Sequence, residues 1–534
     1  MRVGVIDLLV DNPVDGYIAR LYATYFRRQF VSIGPQAVAA WCRQLGHDTH
    51  YATYWGQADP RRLLPSELDI VFIAVHTPKS ALAYALAKLF RRERATTVIG
   101  GPHAKAYPED CRRFFDIVVK DCDKNLVDDI VRGRVDKPAI VTSGRGATEI
   151  PGVEDRSPEI EVASFGRGQP TLTSVVPMLA SVGCPYSCDF CIDWDSKYVP
   201  LSRDRLRGEL LYISRRWPRA MIGYHDPNFG VRFDETMEVI ESLPPNRRNR
   251  YIMESSLAIL KDTRMPRLRT TNCVYVAPGI ESWQDYSNKA GVGAKTGLEK
   301  LDRVVAHIHR LADFVPGIQA NVLVGIDGDR GKEPIELTKE FIRRVPQAWP
   351  TINIPTPFGG TPLFDQYLTE GRILKAMPFG LYYNPYIVFQ LKHYEPVEYY
   401  DHLISIQKEI ASNIMFARRM ATRIPNTLRL IHGLRTFSAR TKRANFAKLR
   451  TALVEDPQVQ AFHAGRDVGL PKFYENKLRS RLGRYGDLLS SSDLTPELGS
   501  PTLAAGHRGS QRQALGGSGI NPLADPLPDL QATS

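Results

Sequence analysis

Three cysteines, Cys184, Cys188 and Cys191, stand in C-x3-C-x2-C spacing within Val182-Gly183-Cys184-Pro185-Tyr186-Ser187-Cys188-Asp189-Phe190-Cys191. Cysteine thiolates hold iron–sulfur clusters, and spacing this close lets one loop wrap one cluster. Three protein ligands on a four-iron cube leave one iron open to a substrate or cofactor, which a fourth cysteine would close. The competing reading is a zinc knuckle. Zinc sites usually come as paired C-x2-4-C or C…H motifs, and no second pair follows here. The remaining cysteines, Cys42, Cys111, Cys122 and Cys273, show no ligand spacing and are read as buried packing residues.

The elements that must position this loop are legible around it. The apolar run from Met178 to Val182 is short enough for one buried strand leading into the first cysteine. From 176 to about 372 strand and helix alternate, with strands expected over 220–224, 251–256, 273–277, 319–324 and 351–355 and a helix over 205–216. Polar or glycine-rich residues gather where those strands end: His225-Asp226-Pro227-Asn228, Gly279-Ile280-Glu281-Ser282, Gly325-Ile326-Asp327 and Thr356-Pro357-Phe358-Gly359-Gly360. Catalytic groups of β/α barrels sit on that rim.

Residues 1–131 alternate strands (3–10, 48–54, 69–75, 97–100, 116–120) with helices (34–45, 80–91), the pattern of a parallel α/β sheet. Ligands of such sheets lie outside the C-terminal strand ends. That singles out Val75-His76-Thr77-Pro78-Lys79-Ser80 and Ile99-Gly100-Gly101-Pro102-His103. Residues 132–175 read as a linker with one short strand over 139–142. Residues 376–489 read as a basic, mostly helical region. It opens on a stretch dense in aromatics (Phe379, Tyr382, Tyr383, Tyr386, Phe389, Tyr394) that is either core or, with Trp194 and Tyr198, a lid. From 490 to 534 an unpatterned run of Ser, Gly, Pro, Ala and Leu predicts a disordered tail.

A chain of 534 residues has room for two or three domains. Seven cysteines, three of them clustered, argue against a secreted disulfide framework and for a reducing, cytoplasmic compartment. No uncharged apolar run approaches the roughly 20 residues needed to cross a bilayer. Asp7 interrupts the apolar N-terminus, which therefore reads as a strand and not a signal peptide. The net charge of +12 is concentrated: residues 410–484 hold 16 Lys and Arg against Glu455, Asp456, Asp467 and Glu475. A basic helical face is most often simply solvated, so neither nucleic acid nor an anionic membrane is the expected partner.

The cysteine loop resembles the signature of the radical S-adenosylmethionine (SAM) superfamily, C-x3-C-x-aromatic-C, with Phe190 at the aromatic position. The two loops of the first region, with Asp69-Ile70-Val71 ahead of them, look like the cobalamin-binding domain found before many radical SAM barrels. The run Pro355-Thr356-Pro357-Phe358-Gly359-Gly360-Thr361-Pro362-Leu363, followed by Glu370-Gly371-Arg372-Ile373, adds to that likeness, which spans about Met1 to Arg372. The resemblance implies an α/β fold with an N-terminal Rossmann-like cobalamin-binding domain (1–131), a partial (β/α)6 TIM-type barrel (176–375) and a C-terminal helical region (376–489). It implies a 4Fe–4S cluster on Cys184, Cys188 and Cys191 that reductively cleaves SAM to a 5′-deoxyadenosyl radical. By the same resemblance Phe190, Asp226, Asn228, Glu281, Gly325 and Ile326 surround SAM, and Thr77, Ser80, Gly100, Gly101 and His103 contact cobalamin.

One departure stands out. Cobalamin proteins that ligate cobalt through histidine carry D-x-H-x-x-G after the first strand, and that place reads Asp11-Asn12-Pro13-Val14-Asp15-Gly16. Asp48-Thr49-His50 has the spacing but Thr53 stands where glycine belongs, so His50 is not expected to reach cobalt. The activity implied is cobalamin-dependent methyl transfer to an unactivated carbon of a small-molecule or natural-product substrate, fed by an external flavodoxin- or ferredoxin-type reductant. Two readings stay open beside it: a radical rearrangement or cyclisation without methyl transfer, and a non-catalytic zinc- or nucleic-acid-binding protein. A tRNA methylthiotransferase would bring three further cluster cysteines, for which Cys42, Cys111 and Cys122 are too scattered.

Overall fold

The computed structural model of the chain describes residues 1–9, 31–56, 59–143, 149–165, 170, 174–466 and 468–500. The Asp11-to-Gly16 segment and the tail from 501 lie outside the described residues. Two parallel sheets, each of six strands, organise the rest.

In the first sheet β1 (Arg2–Leu8), β2 (Asp48–Tyr54), β3 (Ile70–Ala74), β4 (Thr96–Gly100), β5 (Ile117–Val119) and β6 (Ala139–Val141) pair in the order β2-β1-β3-β4-β5-β6. Every pair is parallel. Val71, Ile73, Ile99 and Val118 pack into one layer and Ile70, Phe72, Val98 and Ile117 into the other, as strands covered on both faces require. Strand order reverses between β1 and β3, the place where a doubly wound sheet opens a ligand crevice. The stretch expected to be a linker supplies β6 and also a helix, Ser157–Ser164, that buries Ile160 and Ala163. Eight residues are too few for helical periodicity to show in the sequence.

The second sheet begins with β7 (Val175–Met178). The expected single strand over 178–182 is broken: the chain leaves the sheet after Met178 and forms a short antiparallel ribbon of β8 (Ser181–Val182) and β9 (Val199–Pro200). The cause is Asp226, whose carboxylate accepts from the backbone N–H of Ala180 (2.9 Å) and Ser181 (2.5 Å) and so diverts both amides from any strand partner. Next come β10 (Met221–Tyr224), β11 (Tyr251–Ser256), β12 (Cys273–Glu281), β13 (Gly317–Leu323) and β14 (Ala348–Asn353). They pair in chain order outward from β7, all parallel, and among the described residues β7 and β14 do not pair, so this is a half-barrel open on one side.

The two sheets meet with their C-terminal edges together. The Gly359 amide, beyond β14, donates to the Tyr107 hydroxyl (2.8 Å), and the Tyr107 ring lies 3.7 Å from that of Phe379. Lys105, after β4, pairs with Asp195 of the cysteine loop at 3.7 Å. Phe379, Tyr382, Tyr386, Phe389 and Tyr394 are all buried, so the aromatic stretch is core and joint, not lid. Helices Pro396–Ile410, Asn413–Met420, Asn426–Glu455 and Pro457–His463 complete the barrel's flank. Residues 490–500, expected within the tail, are placed instead: Ser490 caps the helix Ser491–Leu494, Asp493 pairs with Lys88 (2.5 Å) and Leu494 joins the core of the first sheet. No helix of the described residues is long and apolar enough to cross a membrane.

Candidate functional site

The cysteine loop is pinned at both ends. Gly183 has φ +71°, and a Cβ there would run into the Lys197 carbonyl opposite it on the ribbon, so glycine is required for the loop to close. The Cys184 amide donates to Ser196 Oγ (3.2 Å), the Leu363 amide to the Asp189 carbonyl (3.0 Å), and Trp194 Nε1 to the Gly360 carbonyl (2.7 Å). The three thiols are partly exposed and lie within electrostatic reach of one another. Burial raises the pKa of all three, that of Cys188 to about 11, and Lys289 is the cation that pulls each of them down. Such thiols stay neutral until a metal displaces the proton, which is what coordination does.

Around the thiols stands a group that sequence reading found only in part. Glu281 ends β12 at a register shift with φ +64°, a left-handed conformation that turns its carboxylate inward while Ile280 stays in the core. Its Oε1 accepts from Lys289 Nζ at 3.0 Å. Burial works against the Lys289 ammonium, but the ion pair with Glu281, together with the nearby Cys188 and Cys191 sulfurs, outweighs it and raises its pKa. Lys289 also lies 5.1 Å above the Phe190 ring, which stacks on Tyr286 (5.5 Å), and Tyr286 donates to Asp189 (3.2 Å). Glu254, at the end of β11, is exposed to solvent yet enclosed enough that burial raises its pKa, with Lys289 and Glu281 in reach: it lines a cleft and not the outer surface. Lys289, Tyr286 and Glu254 carry no motif spacing and only the fold collects them.

The other expected SAM contacts are present at the rim but partly committed elsewhere. Asp226 spends both oxygens on Ala180 and Ser181, and burial pushes its pKa up to about 6. It positions the cysteine loop. Asn228 accepts from the Ser256 amide (3.0 Å) and so ties the ends of β10 and β11. Gly325 (φ +95°) turns against the Tyr399 ring, where a Cβ would approach to 2.7 Å, and the buried Asp329 carboxylate accepts its amide at 2.8 Å. Ile326 is buried beside it.

In the first sheet Thr77 and Ser80 are buried, and His103 is fully buried with Nε2 2.6 Å from the Tyr84 hydroxyl and Nδ1 3.4 Å from Thr77 Oγ1. The His103 ring is thus a packing element and not an outward-facing contact. Gly101 (φ +93°) is glycine because a Cβ would press on the Val75 backbone at 3.1 Å, a reason internal to the protein and not the approach of a flat ligand. Gly100 accepts the Val75 amide at 3.0 Å and so joins the two loops. The side chain that does look outward is His76. Its ring is partly exposed, makes no hydrogen bond among the described residues, and has its pKa lowered by burial. His225, at the end of β10, lies within electrostatic reach of it and is held down to about 4 by burial, Arg156 and His76. His50 sits mid-strand in β2 beside Asp48 (2.9 Å), away from either rim. A crevice of about 620 Å³ lined by Trp41, Lys124, Pro151 and Arg205 contains none of these residues.

No family model matches this sequence. Among characterised relatives, bacteriochlorophyllide d C-8(2)-methyltransferase of Chlorobaculum tepidum is 23% identical over 351 residues, covering 62% of this chain and 75% of that protein. Hopanoid C-3 methylase of Methylococcus capsulatus is 22% identical over 293 residues, 52% of this chain and 53% of that one. The cobalamin-dependent SAM radical enzyme OxsB, solved with aqua-cobalamin bound, shares the fold over 93% of this chain and 82% of its own, with a TM-score of 0.56 and 10% identity. The chain thus shares the fold of a cobalamin-binding radical SAM enzyme and is similar in sequence to curated methyltransferases.

Proposed function

We propose that the protein is a cobalamin-dependent radical SAM methyltransferase acting on an unactivated carbon of a large, ring-based, mainly apolar metabolite. The observation that carries this is the meeting of the two C-terminal edges, which sets His76 of the first sheet and His225 of the barrel within electrostatic reach of each other, beside the cysteine loop. The names of the relatives, which methylate a bacteriochlorophyllide and a hopanoid, support both the reaction and the substrate class. Cys184, Cys188 and Cys191 would hold a 4Fe–4S cluster, which would supply the electron for SAM cleavage, and a bound corrin would supply the methyl group.

The chain's own residues then have these tasks. Glu281 and Lys289 offer a carboxylate and an ammonium to the zwitterionic end of SAM, and Phe190 with Tyr286 offers a stacked aromatic wall to its adenine. Ile252, Ala277 and Leu323, half-buried on the strands of the half-barrel, give an apolar lining, and Gln319 and Asn321 give polar anchors. His76, whose pKa burial lowers, would offer a ring nitrogen to a corrin bound at this edge. An oxygen-sensitive cluster suits a reducing cytoplasm with a flavodoxin- or ferredoxin-type donor.

Anaerobically reconstituted protein with cobalamin, SAM, reductant and candidate substrates is expected to release 5′-deoxyadenosine and S-adenosylhomocysteine together, because methyl transfer consumes SAM in both ways. A Cys184/Cys188/Cys191→Ala protein should release neither. Deoxyadenosine without S-adenosylhomocysteine across productive substrates would replace methyl transfer by rearrangement, and zinc without iron in the purified protein would reject the chemistry altogether.

A further inference from the structure

We propose that the outer face of helices Asn413–Met420 and Asn426–Glu455 docks the enzyme on an anionic phospholipid surface. Leu430, Leu434 and Phe437 follow one another by four and three residues and so form one stripe of an α-helix. They are 65%, 57% and 53% exposed, while Thr436, Ala439, Phe446 and Leu449 on the opposite side are buried against the protein. The shorter helix adds Ile414, 73% exposed, and lies alongside: Phe416 packs 5.8 Å from Phe437, and Arg440 donates to Asn413 at 2.9 Å. Helix stripes in a globular protein turn their large apolar residues inward; this one turns them out.

Charge says what covers the stripe. From Ala411 to Val454 there are ten Lys and Arg and no Asp or Glu. Arg418, Arg423, Arg440, Arg443 and Lys448 are exposed, and none has a carboxylate partner among the described residues. Arg343 and Arg450 nearby do pair, with Glu409 and Asp401, so the vacancy is local to this face. A second copy docked by twofold symmetry would set this acid-free face against itself and be repelled. Nucleic acid would use the cations but leave the leucines and Phe437 wet. A bilayer carrying anionic headgroups satisfies both, taking the apolar side chains at the acyl boundary and the cations among the phosphates. This is peripheral binding and is independent of the reaction proposed above.

The test is co-sedimentation of the full-length protein with vesicles of phosphatidylcholine alone or mixed with phosphatidylglycerol. The mixed vesicles should bind about tenfold or more tightly, with the difference fading at high salt. L430S/L434S/F437S should lose binding to both vesicle types, whereas R418Q/R423Q/R443Q/K448Q should lose the preference for phosphatidylglycerol. All these positions are exposed, so unchanged thermal unfolding confirms that both variants are folded. No sedimentation with either vesicle, equal binding to both, retention of binding by the stripe variant, or a dimer that the stripe variant dissociates would each overturn the proposal, as would binding of a generic duplex oligonucleotide in place of vesicles.

Discussion

The C-terminal edges of the two sheets face the same space and treat polar side chains in opposite ways. Along the first sheet Thr77, Ser80 and His103 are buried, His103 bonded to Tyr84 and Thr77, and Tyr84 in turn donates to Asp110 at 2.5 Å. His76 is partly exposed there, and Lys105 reaches across to Asp195. Along the barrel rim the thiols, Glu254, Glu281 and Lys289 act on one another across a single cleft. An edge that receives a broad flat ligand does so by shape and backbone, whereas an edge that must hold a zwitterion beside a cluster keeps its charges unspent on the fold. Asp226 breaks the pattern from the barrel side, being a rim carboxylate used for structure.

The contrast is sharpest where function should change without stability. Lys289→Met is expected to lower SAM cleavage about a hundredfold or more, because it strands Glu281 and removes the cation beside the thiols, and ion-paired groups of this kind act strongly in a shielded site. Glu281→Gly should cost similar activity yet leave thermal stability unchanged or higher, since a non-glycine residue at positive φ carries about 1–3 kcal/mol of strain. Deoxyadenosine release and thermal melts on the two variants check this, and a lower melting temperature for the glycine variant would show that Glu281 belongs to the fold and not to the site.

Asp226 offers the next largest effect. Its pKa is raised by burial from 3.8 to about 6, so between those values the folded protein holds a proton that the unfolded chain has released. Stability contributed by this group therefore falls as pH rises from about 4 to about 6, by at most about 3 kcal/mol, and is flat above. Asp226→Asn should flatten that part of the stability-against-pH curve in denaturant titrations; an unaltered slope would assign the titration to Asp7 or Asp329, which burial raises in the same direction.

The smallest effects separate the two histidines of the first sheet. His103→Ala should cost about 1–3 kcal/mol of stability by removing one of the two hydrogen-bond partners of the Tyr84 hydroxyl in the core, with SAM cleavage by the barrel retained. His76→Ala should leave the melt unchanged and instead alter the electron paramagnetic resonance of the bound cob(II)alamin. The reverse assignment of spectral and thermal effects would mean that His103 turns outward when the corrin binds.

Much of this was readable in advance. Strand alternation placed β2 and β11 to the residue and the other strands of the two sheets, β7 excepted, to within a few, because apolar runs bounded by Gly, Pro and Asp are local signals. The cysteine loop was readable because cluster ligands must be close in sequence to share a loop. The single strand expected over 178–182 was not divided in advance, because the carboxylate that divides it is 46 residues away from Ala180. His103 was singled out over His76 for the same reason: which of two nearby histidines is consumed depends on Tyr84, a residue of the neighbouring helix.

Composition, periodicity and the cysteine spacing by themselves determined two α/β units, a three-thiolate loop and a basic helical end. Only the tertiary structure decided that Lys289, Glu281, Glu254 and Tyr286 share the loop's cleft, that Asp226 serves the backbone, and that Leu430, Leu434 and Phe437 face solvent. The physical reason is one of range. Backbone preference and ligand spacing act over a few residues and leave a local trace, whereas burial, charge coupling and the facing of a helix arise between segments far apart in the chain and leave none until it folds.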